Sequence, residues 1–119
     1  MTRSAHTHHA IDALEFSVTD LAVAKQFDGA TFGWRFTDDG PGYCGIQGEG
    51  REVGGFGVSK QVTPGGPLVI LFSTDLEASL NAVRAAGGRI VKEPFTFPGG
   101  RRFQFLDPSG NELAVWSER

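Results

Sequence analysis

The sequence contains few residues of several kinds, and each shortage excludes a class of protein. Cys44 is the one cysteine among 119 residues, so no intrachain disulfide forms and a reducing compartment is indicated. No apolar run approaches the roughly 18 residues that a membrane helix needs, and residues 1–10 show no secretion signal. The net charge is -3 without a basic stripe, which argues against nucleic-acid binding. We expect a cytoplasmic domain without membrane or nucleic-acid partners, with Cys44 as a small apolar core residue.

Glycine, in contrast, is abundant. There are 17 glycines, and eight of them lie between Gly40 and Gly57. Glycine permits sharp turns and a close approach of the backbone to another group. Because these glycines alternate with strand-forming residues, we expect strands whose backbone approaches a bound molecule.

The pattern of secondary structure occurs twice along the chain. In each copy a strand precedes a helix, and three short strands follow it. Thr19 and Thr74 are the predicted N-caps of the two helices, and Glu77 completes a capping box with Thr74. The two Thr-Asp-Leu triplets are 55 positions apart, which indicates an internal repeat. The predicted core-facing stripes are Leu21, Ala24 and Phe27 in the first helix and Leu76, Leu80 and Val83 in the second.

These copies predict an α+β fold of two tandem β-α-β-β-β units whose curved sheets form a cleft. We expect a flexible tail at residues 1–10 and a single domain at 11–119, composed of the repeats 11–62 and 67–118. Proline and glycine cluster at 63–67, which predicts a linker between the repeats.

A predicted tight turn joins the last two strands at 107–111, where the sequence is D-P-S-G-N. The Asp107 side chain can accept a hydrogen bond from the backbone two residues on, Pro108 fixes φ, and Gly110 tolerates a positive φ. Aromatic and β-branched residues flank the turn on both sides, which is typical of strands in a core.

Together these features resemble the vicinal oxygen chelate superfamily, which includes glyoxalase I, extradiol dioxygenases and bleomycin-resistance proteins. The resemblance rests on the duplicated unit, on F-G-W at 32–34, on G-G at 87–88 and on the terminal D-P-S-G-N. It covers about residues 11–116. It implies the glyoxalase/bleomycin-resistance fold and a homodimer, in which the units pair within one chain or are exchanged between two.

The resemblance also implies where a metal would bind, because enzymes of the family hold a divalent cation with His or Glu side chains of their strands. The corresponding positions are Ala13, Val69 and Ala114, with a fourth within residues 53–57. Alkyl side chains bind no metal. We therefore expect neither a metal nor another cofactor.

Alternation along the strands indicates which side chains face the cleft. If Leu14 and Phe16 face the helix, Glu15 faces the cleft, where it can act as a general base or as a polar anchor for a ligand. The alternative is that Glu15 pairs with an arginine at the rim. On the last strand, Glu112 and Trp116 fall on the cleft side, and Trp116 either stacks on a ligand or fills the core.

Two clusters of side chains have a functional and a simpler interpretation. His6, His8 and His9 match no expected ligand position, so a polar tail is favoured over a metal site. Arg101 and Arg102 either meet an anionic ligand or remain solvated at a hairpin.

From the resemblance we expect metal-independent binding of a small, partly apolar or aromatic molecule. The candidate ligand-binding residues are Trp34, Tyr43, Phe56, Glu112 and Trp116, and the glycines around Phe56 make it the first choice. One alternative is a metal-dependent lyase or dioxygenase of the same superfamily. The other is a metal-free isomerase or lyase with Glu15 as its base.

Overall fold

Two successive β-α-β-β-β patterns make up the computed structural model, which describes residues 6–60 and 66–119. The chain divides into an N-terminal unit, Ala13–Pro67, and a C-terminal unit, Leu68–Arg119, to which the described residues 6–12 also belong. Most of the predicted linker lies outside the described residues. The elements in chain order are β1 (Ile11–Val18), α1 (Leu21–Phe32), β2 (Phe36–Asp38), β3 (Tyr43–Gln47), β4 (Glu52–Val58), β5 (Leu68–Phe72), α2 (Leu76–Ala85), β6 (Arg89–Phe97), β7 (Gly100–Leu106) and β8 (Glu112–Ser117).

The sheet of the N-terminal unit has the strand order β2-β3-β4-β1. β1 and β4 are parallel, whereas β3 is antiparallel to both of its neighbours, β2 and β4. Gly54 permits the close pairing of β4 with β1, because the Leu14 carbonyl oxygen lies where a Cβ at residue 54 would be. The core of this unit contains Cys44, Ile46 and Phe56, with Phe16, Val18, Leu21, Ala24 and Phe36 packed against them.

Helix α1 begins one residue later than predicted. Asp20, rather than Thr19, is the N-cap, and its Oδ1 accepts a hydrogen bond from Val23 N at 3.0 Å. The helix ends at Gly33, whose φ of 72° is left-handed. The prediction that Phe27 is buried is wrong, since its side chain is 62% exposed.

The sheet of the C-terminal unit has the strand order β5-β8-β7-β6. β5 and β8 are parallel, and β7 is antiparallel to both of its neighbours, β8 and β6. Alternating side chains of these strands pack against α2, as the sequence pattern predicts. The core residues are Leu76, Leu80, Phe103, Phe105 and Val115, with Leu71, Val83, Ile90 and Leu113 packed against them.

Helix α2 is also capped by an aspartate. Asp75 Oδ1 accepts from Ala78 N at 3.1 Å, so the predicted capping box of Thr74 and Glu77 is wrong. Glu77 instead pairs with Arg101 at 2.7 Å, which lowers the pKa of the Glu77 carboxyl. In the described parts of the chain, neither helix is long and apolar enough to cross a membrane.

The predicted turn between β7 and β8 is confirmed. Asp107 Oδ1 accepts hydrogen bonds from Ser109 N and Asn111 N, both at 2.9 Å. Bonds from the side chain and backbone of Asn111 lower the pKa of the Asp107 carboxyl. Gly110 has a φ of 94°. The turn thereby fixes where β8 begins, and with it the phase of the side chains along that strand.

Candidate functional site

The sheet of the C-terminal unit has a second face, directed away from α2, which we call the distal face. Leu113 and Val115 pack into the α2 core, so Ala114 and Trp116 point to the distal face, as alternation predicts. Glu112 has the same phase. Strand register adds residues of the neighbouring strands, so that the distal face contains Ile70, Phe72, Arg102, Gln104, Ala114 and Trp116.

A row of flat groups crosses the distal face. Phe72 pairs with Trp116, Trp116 with Arg102, and Arg102 with Phe95, so one residue from each of the four strands lies side by side. We call these four residues the aromatic row. The rings of Phe72 and Trp116 are 5.1 Å apart at an angle of 69°. The Arg102 guanidinium lies 5.5 Å from the centre of the Phe95 ring, a cation–π distance.

The aromatic row runs from a covered end to an exposed end. Phe72 is 3% exposed, Trp116 is half-buried, and Phe95 is 37% exposed. The Phe97 ring also approaches Trp116, at 6.1 Å. Flat apolar groups with a guanidinium among them match a ligand that has an aromatic ring system.

A buried carboxylate fixes the indole of Trp116. Its Nε1 donates to Asp12 Oδ2 at 2.9 Å, and Asp12 is only 7% exposed. Because a buried tryptophan N–H needs an acceptor, this bond determines the orientation of the ring. Asp12 is a site residue that the sequence did not single out.

The second oxygen of Asp12 binds a histidine from the predicted tail. His6 Nδ1 lies 2.7 Å from Asp12 Oδ1. The His6 ring stacks on Phe72, with centroids 4.9 Å apart at 23°, and meets Trp116 edge-on at 4.9 Å. Residues 6–10, which the sequence predicts to belong to a flexible tail, thus have defined contacts in the structure; residues 1–5 lie outside the described chain.

The other two histidines bind on the α2 side of the unit. His8 Nδ1 accepts from Thr74 N at 2.9 Å, and His9 Nε2 lies 3.0 Å from Ser79 Oγ. His9 N also donates to Phe72 O. The three imidazoles therefore have separate protein partners, and they do not converge on a common point as metal ligands do.

A polar side chain lies beside the aromatic row. Gln104 pairs with Ala114 in the next rung of the sheet and is 4% exposed. Its Nε2 donates to Glu112 Oε2 at 2.6 Å, whereas its buried Oε1 has no hydrogen-bond partner among the described residues. A buried acceptor of this kind is uncommon and has a free-energy cost. Glu112, a predicted ligand-binding residue, thus orients the Gln104 amide.

The N-terminal unit also has a distal face, directed away from α1, and it is polar. Glu15 pairs with Gly55 across β1 and β4, and Gly55 pairs with Gly45 across β4 and β3. The Tyr43 hydroxyl lies over Gly55, where a Cβ would otherwise be. Glu15 and Tyr43, both predicted site residues, are therefore on the same face.

A pair of carboxyl groups extends this polar face. The Glu52 carboxylate lies over Gly45. Although the residue as a whole is exposed, partial burial of the carboxyl and the neighbouring Asp39, which also hydrogen-bonds to it, raise the pKa of Glu52. Side chains of the chain itself, Tyr43 and Glu52, thus fill the space above Gly55 and Gly45. The sequence predicted that a ligand would approach the backbone at these glycines.

Two predicted ligand-binding residues lie elsewhere. Phe56 is 3% exposed and belongs to the α1 core, so the prediction that it lines the ligand site is wrong. Trp34 contacts Phe56, with ring centroids 6.4 Å apart, and it shares that side of the sheet. Cys44 is fully buried in the same core, as predicted, and burial raises the pKa of its thiol.

The residues at the implied metal positions do not fit a metal. Ala114 is buried on the distal face, and Val69 pairs with Leu113 on the α2 side, so that Ile70 takes the distal position. None of these side chains, nor that of Ala13, has a donor atom. Within 6–60 and 66–119, no three His, Cys, Asp or Glu side chains are grouped as a metal site requires.

Comparison with known proteins identifies the family. The model of the Glyoxalase/Bleomycin resistance protein/Dioxygenase superfamily matches residues 10–115, which confirms the resemblance. The anthracycline biosynthesis protein DauV of Streptomyces sp. (strain C5) is 32% identical over 117 residues, covering 82% of this chain and 42% of that protein. The chain therefore spans less than half the length of this relative.

Solved structures confirm the α+β fold. The Mn(II)-bound glyoxalase from Novosphingobium aromaticivorans has a TM-score of 0.72 at 21% identity, covering 93% of this chain and 39% of that one. Methylmalonyl-CoA epimerase from Mycobacterium tuberculosis has a TM-score of 0.71 at 15% identity, covering 98% and 92%. At these identities the likeness shows the fold alone.

The raised pKa of Glu52 predicts a pH-dependent stability. A carboxyl whose pKa is higher in the folded than in the unfolded state binds its proton more tightly when folded, so the folded state loses stability as the pH rises above the ordinary value of 4.5. We expect the free energy of unfolding of the wild type, relative to Glu52→Gln, to fall as the pH rises from 4.5 and then to level off.

Urea unfolding at a series of pH values measures this difference. Glu49→Gln is the matched control, because Glu49 is an exposed residue of the loop between β3 and β4, and it should leave the pH dependence unchanged. A difference between wild type and Glu52→Gln that is constant or rises with pH would contradict the assignment.

Proposed function

Because the chain belongs to the glyoxalase/bleomycin resistance protein/dioxygenase superfamily, we propose that it binds a small, flat, partly apolar molecule, without a metal, on the distal face of the C-terminal unit. The observation that carries this proposal is the aromatic row, in which Phe72, Trp116, Arg102 and Phe95 are in register across four strands. The predicted ligand-binding residues Trp116 and Glu112 belong to this face.

The chemistry of the row supports a planar ligand. Each aromatic contact contributes about 0.5–1.5 kcal/mol beyond the area that it buries, and Arg102 adds a planar cation that stacks on ring faces. The bond from Trp116 to Asp12 holds the indole in place before a ligand arrives. A preoriented ring loses little conformational entropy on binding.

The relatives suggest a chemical class. DauV is named an anthracycline biosynthesis protein, and anthracyclines contain fused aromatic rings with hydroxyl groups. We extend this to the present chain as a class of ligand: polycyclic aromatic molecules with hydrogen-bonding substituents. We do not extend the activity of DauV to this chain, because the chain spans only 42% of that longer protein.

The polar face of the N-terminal unit supports a second candidate, a metal-free isomerase or lyase. Glu15 lies beside Gly55, and the Tyr43 hydroxyl lies over that same glycine, so a carboxylate and a hydroxyl share one face as general acid–base chemistry requires. Turnover that disappears in Glu15→Gln would identify this function. The homodimer implied by the resemblance stays a prediction.

Metal independence is tested by removing metal. Protein purified without a histidine tag and dialysed against EDTA should bind 6-hydroxynaphthalene-2-sulfonate, an aromatic anion that chelates no metal, with the affinity of untreated protein, because the residues at the implied ligand positions are Ala13, Val69 and Ala114. Calorimetry gives the affinity, and plasma mass spectrometry gives the metal content. A stoichiometric metal whose removal abolishes binding would contradict the proposal.

The two tryptophans provide a matched test of the site. Trp116→Leu should weaken binding of an anthracycline such as doxorubicin about tenfold, which corresponds to about 1.4 kcal/mol, because a stacking surface is lost. Trp34→Leu should leave the affinity unchanged, since Trp34 lies on the α1 side. Fluorescence titration measures both, and circular dichroism verifies folding. Equal losses in the two variants, or a loss only in Trp34→Leu, would contradict the assignment.

A further inference from the structure

We propose that residues 6–10 form a strap whose His6 ring occupies the ligand's place on the aromatic row, and that the ligand is an aromatic ring with an O–H or N–H donor that replaces His6 on Asp12. This inference rests on the proposed function and adds two elements to it: an intramolecular competitor, and a specific substituent on the ligand.

The position of His6 is that of a bound aromatic molecule. Its ring is nearly parallel to Phe72, at 23° and 4.9 Å, and perpendicular to Trp116, at 88° and 4.9 Å. Stacked and edge-on arrangements at these distances are the two that aromatic pairs prefer. Phe72 points away from α2 and is nevertheless 3% exposed, which is consistent with a ring lying on it.

The polar contact of His6 indicates the substituent that the ligand needs. A carboxylate only accepts hydrogen bonds, so His6 Nδ1 donates to Asp12 Oδ1 over 2.7 Å. Asp12 is buried, so loss of the hydrogen bond from His6 costs free energy. A ligand that displaces His6 and carries its own donor, as a phenol does, restores that bond. An aromatic molecule without one is disfavoured.

The strap is held at its other end by separate contacts. His8 Nδ1 accepts from Thr74 N at 2.9 Å, and His9 Nε2 lies 3.0 Å from Ser79 Oγ. His9 has a φ of 63°, a left-handed conformation that histidine adopts more readily than most residues. Displacement of His6 thus does not require release of His8 and His9.

Competition by the strap lowers the apparent affinity of the site, because the ligand binds only the fraction of molecules in which His6 has left it. Removing two aromatic contacts should raise the affinity about tenfold. We therefore expect His6→Ala to bind 6-hydroxynaphthalene-2-sulfonate about tenfold more tightly than the wild type does. Thr7→Ala, which changes an exposed neighbour, is the matched control and should leave affinity unchanged.

The hydroxyl group is tested with the same ring system. Naphthalene-2-sulfonate lacks only the donor, and it should bind His6→Ala about fivefold more weakly than the hydroxylated probe, as one hydrogen bond predicts. His6→Gln, which keeps a donor without an aromatic ring, serves as a second variant if His6→Ala folds poorly. Equal binding of the two probes would overturn the assigned substituent.

A measurement without ligand tests the strap itself. In a Trp34→Phe background, Trp116 is the one remaining tryptophan, and its quenching by acrylamide should increase about twofold in His6→Ala as the indole loses the covering ring. Unchanged quenching, or a probe affinity that His6→Ala leaves unchanged, would overturn the strap. If Trp116→Leu also leaves probe binding unchanged, the proposed function fails, whereas probe binding that depends on Trp116 but not on His6 refutes the strap alone.

Discussion

The buried carboxylate of Asp12 is the constraint on which the candidate site depends. One oxygen accepts from Trp116 Nε1 at 2.9 Å and the other binds His6 Nδ1 at 2.7 Å. Hydrogen bonds to a charged group contribute about 1.5–3 kcal/mol each, and a buried carboxylate without them is costly. Asp12 therefore fixes the orientation of one ring of the aromatic row and the position of the ring that covers it. The row provides a surface for a planar ligand only while this orientation holds.

Much of the fold follows from local rules that can be read along the chain. Alternation correctly assigned Ala114 and Trp116 to one face of β8 and Leu113 and Val115 to the other, because the period of a strand is two. The two N-caps were predicted one residue too early, since threonine and aspartate are both good caps and only the geometry distinguishes them. The predicted burial of Phe27 failed for a different reason: among the residues of α1, Leu21 and Ala24 pack against the core, and the Phe27 side chain is exposed.

The candidate site was predictable only in part. The sequence predicted Trp116 and Glu112 from their phase on one strand, but Phe72, Arg102 and Phe95 lie on the same face only through the register of the strands of the sheet. The contact of His6 with Asp12 likewise depends on how the chain folds back on itself. Phe56 was predicted to line the site because glycines beside a residue often let the backbone approach a ligand. Here the neighbouring glycines instead accommodate the Leu14 backbone and the Tyr43 hydroxyl. A pattern along one strand cannot show what the next strand places above it.

The central claim is that a planar ligand binds beside Trp116, and the two indole N–H signals of the protein report on it directly. Titration of ¹⁵N-labelled protein with 6-hydroxynaphthalene-2-sulfonate should shift the Nε1–H resonance of Trp116, whose proton points to Asp12, and leave that of Trp34 in place. Ring currents act over short distances, so the shift locates the ligand. A shift of the Trp34 signal with an unmoved Trp116 signal would contradict the account.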